Sequence, residues 1–526
     1  MKSDTGILSL NDLKPADLQG KTIFIRADFN VPLCPGQKGY YQVADDTRIR
    51  RFLDLTFRKI HELTEGNCRI IIGSHLGRPH KKKDHVGWDG IFNIQFVSSH
   101  FDTLIRKTYG DTYTIFPPEI IDSHLKHSLE ILFHCRLPYG GIKFLPNLRY
   151  MLEPRNPETY RKEFIEELAG IADVYINCAF GCSHRVTKSI KLLPQLMRQQ
   201  GKLVVGGLLL NEEIQALGDF AARVLAHPKK TAIIAGGSKI ADKIHILKQF
   251  VVSNVRLIFI GGKMVNAFLI AQQQKQRAGA VDLKDICLKL VSQDEDKNRE
   301  LLAEIKMAEE ILDLAQHKDV KVIFPDDYKV VSTYQDPSYS VKEHPDFNCE
   351  LQLDLGPKTI ENYSKTILQE GIETVFWNGP LGAYDHPTSS YFSEGSLELA
   401  KLLFAEALGN RKFSVVIGGG DSAAILNKVS INELKNLIKK KIEKHFPKTI
   451  RTHLLTIGFL DDDSYILWNY LAMNFFVSTG GGAALEFLEN YLKDSGQSAT
   501  ACYLTGTQVL IEAAETPVAE EKPVST

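Results

Sequence analysis

Five basic residues fall at the ends of short apolar runs or just beyond them. They are Arg48 in DDTRIR, His75 and Arg78 in SHLGRP, Arg149 in NLR, and Arg185 in FGCSHR. A guanidinium binds carboxylate or phosphate through paired hydrogen bonds, which an ammonium does less well. Four such groups with an imidazole suit a small molecule that carries both anions. Asp28 and Asn30, in RADFN, can take hydroxyl groups and orient the arginines. The bland alternative is that each Arg pairs with a surface acid and does little.

A second set of residues is rich in glycine. GGSKIADK holds Gly236, Gly237, Lys239 and Lys243, and the (i, i+4) lysine spacing predicts one face of a helix opening there. A strand, two glycines and a helix start make an anion site from backbone N–H groups and the helix dipole. The two lysines would neutralise a phosphoryl group in transfer. GGGDSAA brings Gly418, Gly419, Gly420 and Asp421; an aspartate there can hold Mg²⁺, which prefers oxygen. STGGGAALE, with Gly482, repeats the pattern. GGGDSA also fits a loose dinucleotide fingerprint, but the acid expected about 20 residues later is replaced by LKNLIKKK. No GxxxxGK[ST] occurs. Cys178, Cys182 and His184 are spaced C-x₃-C-x-H, which lacks a fourth ligand and is not a usual zinc spacing.

The elements that must position these residues are legible as buried strands alternating with amphipathic helices. TIFIRADF, RIIIGSHL, IKFLPNLR, VYINCAFG and LVVGGLLL read as strands in the first half. TAIIAGGSK, RLIFIGGK, KVIFPDD, TVFWNGP, SVVIGGGD and NFFVSTGGG follow in the second. ETYRKEFIEELAG and NRELLAEIKMAEEILDLAQ space their apolar residues as helices do. The alternation implies an α/β protein with parallel sheets, whose ligands bind beyond the carboxyl ends of the strands. The expected organisation is two doubly wound domains, 1–215 for a small anion and 216–500 for a nucleotide. HKKKDHVGWDG and the stretch 425–472 read as additions, and 508–526 as a disordered Pro-, Glu- and Thr-rich tail.

Composition narrows the partners. The 526 residues hold 63 Lys and Arg against 64 Asp and Glu, a net charge of −1, which gives no global case for nucleic acid or an anionic membrane. The eight cysteines form no CxxC pair, as expected in a reducing compartment. MKSDTGILSL is too polar for a secretory signal, and no apolar run reaches about 18 residues. A cytoplasmic location is expected.

Eleven motifs in order resemble the phosphoglycerate kinase family from about residue 8 to about 505. They are RADFNVP, DDTRIR, SHLGRP, NLR, AFGCSHR, GGSKIADKI, GGKM, LDLGPKTIE, WNGPLGAYD, GGGDSAA and STGGGAALE. The resemblance implies two similar-sized doubly wound domains with a cleft and hinge, and a C-terminal segment that returns to the first domain. It implies 3-phosphoglycerate or 1,3-bisphosphoglycerate on one domain, Mg²⁺ with ATP or ADP on the other, and a monomer. Carried over residue by residue, Asp28, Asn30, Arg48, His75, Arg78, Arg149 and Arg185 match the 3-phosphoglycerate site. Gly236, Gly237, Lys239, Lys243, Gly262, Asn378, Asp385, Gly418, Gly419, Gly420, Asp421 and Ser422 match the nucleotide site, with Asp421 at the magnesium. Arg48, Lys239, Lys243, Gly420 and Gly482 match positions around the transferring phosphoryl group. The chain departs from the family at Pro146 (usually Glu), Cys178 (usually Asp), Lys263 (usually Gly), Asp385 (usually Glu) and Ser422 (usually Thr).

Overall fold

A computed structural model describes residues 6–36, 40–78, 92–118, 137–152, 158–277, 295–343, 350–387, 389–409, 412–419, 422, 433, 474–497 and 503–515. The chain divides into two compact units, Met1–Gln215 with Ser498–Thr526, and Ala216–Gln497. The first crossing between them falls within the helix Leu208–Ala226.

The first unit contains β1 (Thr22–Arg26), β2 (Leu33–Pro35), β3 (Tyr41–Val43), β4 (Arg69–Gly73), β5 (Thr114–Phe116), β6 (Gly141–Phe144), β7 (Val174–Asn177) and β8 (Leu203–Gly206). Six of these form a parallel sheet in the order β5-β6-β4-β1-β7-β8, and β2 pairs with β3 as a small antiparallel ribbon. TIFIR of β1 is buried along its whole length, as a central parallel strand covered on both faces should be. Register matters most here. Arg26, the last residue of β1, stands beside Gly73 of β4 and Asn177 of β7, and Asn177 beside Gly206 of β8. Four strands therefore end level, and the loops that leave them start from one line.

The second unit contains β9 (Thr231–Ala235), β10 (Leu257–Ile260), β11 (Lys321–Ile323), β12 (Tyr328–Val331), β13 (Ser340–Lys342), β14 (Leu351–Leu355), β15 (Thr374–Asn378), β16 (Ser414–Gly418) and β17 (Phe475–Ser478). Its main sheet runs β11-β10-β9-β15-β16-β17, all parallel. Ala235 stands beside Ile260 and Asn378, Asn378 beside Gly418, and Gly418 beside Ser478, so five strands end level. The two doubly wound parallel sheets are the fold the alternation implies.

Several local expectations differ from the structure. IKFLPNLR is not one strand: β6 stops at Phe144, and Leu148–Met151 is a helical turn. Pro146 has no N–H to give a ladder. LVVGGLLL also splits. β8 ends at Gly206 and Leu208 opens the helix, because a side chain at 207 would lie 2.2 Å from Cys178 Sγ and the chain turns there. The antiparallel sheet β13-β12-β14 has no counterpart in the sequence reading. The tail expected from 508 begins instead as part of the helix Thr505–Glu515. Its Val509, Leu510 and Ile511 are buried, so an apolar face holds residues that composition had grouped with the polar end. The Gly506 N–H donates to Ser183 O at 2.8 Å, which ties this helix to the AFGCSHR loop. The stretch 425–472 lies outside the described residues apart from Glu433, as do 79–91 and 516–526. Among the described residues no helix is long and apolar enough to cross a membrane.

Leu510 is fully buried, so Leu510→Ala should cost about 2–5 kcal/mol of stability. A urea midpoint equal to that of the wild type would show that the C-terminal helix is not part of the core.

Candidate active site

In the first unit the chemistry begins at the level strand ends. The chain leaving β1 carries Asp28, Phe29 and Asn30. Phe29 is buried against Phe52, Phe101 and Phe144, with ring centroids 5.2–6.3 Å away, and its N–H donates to Ser74 Oγ at 2.9 Å. This apolar anchor fixes its polar neighbours. Asn30 Oδ1 accepts from the Gly77 N–H at 2.7 Å, which locks the SHLGR loop. Gly77 has φ +60° and a Cβ there would strike the Phe92 ring, so glycine is required. Arg149 Nη1 donates to the Gly77 carbonyl. Asn147 caps the turn that carries Arg149: its Oδ1 accepts from the N–H groups of Leu76 and Arg149 at 3.2 and 3.1 Å, and its Nδ2 donates to Leu76 O at 2.8 Å.

The electrostatics follow from this packing. Arg48 Nη1 donates to Asp28 Oδ2 at 2.6 Å. Burial alone would raise the Asp28 carboxyl, but Arg48, His75 and Arg26, together with the Asn30 N–H, outweigh it and hold the group below the usual carboxylate value. His75 is buried and its imidazole is pushed down to about 3. Desolvation is the main cause, and Arg26, Arg149 and Arg48 add to it against the attraction of Asp28. His75 is therefore a neutral hydrogen-bonding group. Arg149 is lowered by burial and by Arg185, Arg78 and Arg26. Among the described residues no acid pairs with Arg78, Arg149 or Arg185, so only Arg48 follows the surface-pair alternative, and its acid is Asp28. Gathered guanidinium groups without acids make a receptor for an anion.

Sequence reasoning missed two participants. Arg26 is buried at the end of β1, with Nη2 3.4 Å from His75 Nδ1 and 3.6 Å from Cys182 Sγ, and its Nε is buried without a partner. A charged residue closing an otherwise apolar strand was the available signal. Asn147 lay in a quoted motif, but its role as cap needs the turn to be seen. The C-x₃-C-x-H group does not assemble. Cys178 Sγ lies against Thr56 Oγ1 at 3.6 Å and burial pushes its thiol up to about 12, while His184 Nε2 accepts from Arg185 Nε at 3.2 Å.

In the second unit the level strand ends carry backbone rather than guanidinium groups. The Gly236 N–H donates to Asn378 O at 2.9 Å, Gly237 to Pro380 O at 2.6 Å, Gly262 to Leu381 O at 3.0 Å, and Met264 to Gly237 O at 3.1 Å. Loops after β9, β10 and β15 are thus knitted together. A Cβ at 236 would lie 2.3 Å from Pro380 O, so the close approach excludes side chains. Asn378 Nδ2 donates to Gly418 O at 2.9 Å, and Ser422 Oγ accepts from the Gly379 N–H at 2.8 Å. Both side chains join the loop after β15 to the one after β16, where Gly419 has φ +99°. Gly482 opens the helix Gly482–Lys493 after β17, with Gly481 as its N-cap. Gly420 and Asp421 lie outside the described residues. Asp385 is exposed, as is Lys263.

The lysines correct the sequence reading. The helix after β9 begins at Ile244, with Lys243 as its N-cap, so Lys239 sits in the loop and the two lysines share no helix face. Glycine at 237 (φ +101°) and the turn that follows delay the helix. Lys243 Nζ reaches back over this loop, 3.2 Å from where a Gly237 Cβ would stand. Lys239 Nζ pairs with Glu300 Oε2 at 2.9 Å, with side chains 51% and 63% exposed. A pair this open is worth little, so Lys239 is available to a better anion. Glu304 is raised by burial, against the Ile240 N–H and the nearby Lys239 and Lys263. Neither glutamate was visible as a neighbour of the loop from sequence.

Known proteins resemble this chain in sequence and in fold. The model for "Phosphoglycerate kinase" matches residues 11–491. A phosphoglycerate kinase of Gloeobacter violaceus is 31% identical over 481 residues, covering 91% of this chain and 95% of that one. A cytosolic phosphoglycerate kinase of Triticum aestivum is 29% identical, covering 91% and 96%. The solved phosphoglycerate kinase of Coxiella burnetii superposes with a TM-score of 0.59 at 25% identity, covering 97% of this chain and all of that one. That of Pyrococcus horikoshii shares the fold, with a TM-score of 0.63 at 21% identity and coverage of 96% and 100%. With the family model spanning both sheets and every strand-end loop described above, the chain belongs to the phosphoglycerate kinase family.

Proposed function

We propose that this chain is a working kinase that moves a phosphoryl group reversibly between 1,3-bisphosphoglycerate and ADP, giving 3-phosphoglycerate and ATP. One observation carries the reading. Arg78 and Arg185 gather around Arg149, which with Arg26 and Arg48 neighbours a neutral His75; among the described residues no acid pairs with Arg78, Arg149 or Arg185, and the unit is separate from the one that carries the glycine loops. Family membership supplies the reaction; the residues supply its parts.

Arg78, Arg149 and Arg185 take the phosphate and carboxylate of 3-phosphoglycerate, while Asp28, Asn30 and His75 take its hydroxyl and position Arg48. Gly236, Gly237, Gly262, Asn378, Gly418, Gly419 and Ser422 shape the nucleotide site, with Asp385 at the ribose. Asp421 is the proposed contact of the Mg²⁺ that accompanies the nucleotide; Ser422, the next residue, accepts from the Gly379 N–H. The metal, when bound, neutralises charge on the phosphates. Such transfer needs positioning and charge neutralisation more than covalent help. Arg48, Lys239 and Lys243, with the N–H groups at Gly420 and Gly482, supply fixed positive charge for the transferring group. No general base is needed when ADP attacks, since its phosphate oxygen is already anionic. A cytoplasmic location and a monomer belong to the same proposal; the free thiols at Cys34, Cys68, Cys178 and Cys182 accord with a reducing compartment.

Three outcomes test this reading. Lys239→Ala should lower kcat by about 10²–10³-fold, the scale of losing one preorganised charge partner, and leave 3-phosphoglycerate binding by calorimetry unchanged. Undiminished kcat would remove Lys239 from the reaction. Next, His75 should remain neutral throughout the physiological range. The unfolded imidazole takes its proton near 6.5 and the folded one only near 3, so this group costs stability as pH falls through that window. Imidazole ¹⁵N shifts that titrate near 6.5 in the folded protein would contradict the buried site. Finally, the ratio of turnover with MgATP to that with MgGTP should change in Lys263→Gly and Asp385→Glu. Identical ratios in both variants and wild type would mean that neither residue meets the nucleoside.

A further inference from the structure

We propose that Asp28, His75 and Cys182 form a site for a thiophilic divalent ion of the zinc class, and that such an ion competes with 3-phosphoglycerate. The competition rests on the substrate placement above; the metal site rests on the cluster alone.

The three side chains follow three adjacent strands that end level, β1, β4 and β7. Their ligand atoms all lie within 4.8 Å of one another. Two donors on one tetrahedral zinc, with bonds of about 2.0–2.3 Å, sit roughly 3.5 Å apart. Cys182 Sγ and His75 Nδ1 are already 3.6 Å apart. Arg48 donates to Asp28 Oδ2, and Asp28 Oδ1 is buried without a hydrogen-bond partner. A thiolate, an imidazole and a carboxylate are a borderline-soft donor set that suits zinc and not magnesium, which takes oxygen. On binding, the Cys182 thiol gives up its proton to solvent, and thiolate and carboxylate together cancel the two charges of the ion.

Arg26 is the obvious objection, because its Nη2 lies 3.4 Å from His75 Nδ1. It also lies 3.6 Å from Cys182 Sγ. An ion that takes the imidazole nitrogen leaves the guanidinium on the sulfur, where it becomes the outer hydrogen bond that metal-bound thiolates commonly have. Three side chains leave a fourth position for water. The sequence had grouped Cys182 with Cys178 and His184; the fold exchanges both partners for Asp28 and His75.

The test uses the full chain, freed of metal and titrated with Co²⁺ as a spectroscopic stand-in for zinc. One ion per chain should bind with a sulfur-to-cobalt charge-transfer band in the near ultraviolet. Cys182→Ser, close to isosteric, should lose the band; Cys178→Ser should keep it. No band in wild type, or a band that survives in Cys182→Ser, overturns the site. In turnover assays with Mg²⁺ present, Zn²⁺ inhibition should be relieved by 3-phosphoglycerate and not by MgATP. Cys182→Ser should tolerate more than about 100-fold higher Zn²⁺, since losing a ligand exceeds the 10–100-fold cost of losing an outer contact. Relief by MgATP alone overturns the competition. A cobalt band in a protein without any turnover would uphold the metal site while sinking the kinase reading on which the competition rests.

Discussion

The strand register is the constraint on which both half-sites depend. A parallel ladder lets neighbouring strands end at the same height only if each pairing keeps its offset. Here Arg26, Gly73, Asn177 and Gly206 share one line, and Ala235, Ile260, Asn378, Gly418 and Ser478 share another. Slipping one strand by a single residue would turn every side chain to the opposite face. The apolar interior forbids that, since Ile23, Ile25, Ile70, Ile72 and Ile176 pack in one cluster. Burial of hydrocarbon therefore sets the positions of charges several residues away.

On this common platform the two units solve different electrostatic problems. The first gathers guanidinium groups, which repel one another; the lowered Arg149 records that repulsion together with burial. Among the described residues only Asp28 offsets it in part, and the cluster is tolerable because Asn147, Asn30 and Phe29 hold its loops through neutral contacts. A dianionic ligand would relieve the repulsion, so the fold stores specificity as unfavourable charge. The second unit uses few charges. Its loops are joined by peptide hydrogen bonds, and close packing of loop on loop at Gly236 and Gly262 explains why glycines recur there.

How much of this could be read from the sequence depends on the range of the interaction. The strands of both sheets were legible because buried parallel strands are short apolar runs. The arginines were legible because strand ends in such sheets face ligand. Where local rules competed, the sequence misled. The (i, i+4) spacing of Lys239 and Lys243 argued for a helix face, but Gly237 at φ +101° turns the chain and the helix waits until Ile244. LVVGGLLL looked like one strand because nothing local reveals that Cys178 fills the space beside Gly207. The helix Thr505–Glu515 was absorbed into a polar tail because a composition window averages an apolar face with its charged neighbours.

Contacts between residues far apart in sequence were the least legible and the most consequential. Arg26, His75 and Cys182 lie 49 residues or more apart in three motifs, and each motif has its own local interpretation. Only the β4-β1-β7 adjacency brings a guanidinium, an imidazole and a thiol together. The same adjacency explains why the thiol found a new partner without any change in backbone plan. A residue placed in a level loop meets whatever the neighbouring strands present at that height. Diversity in such a fold is therefore cheapest at strand-end loops, where one substitution changes the chemistry of a site and leaves the ladder beneath it intact.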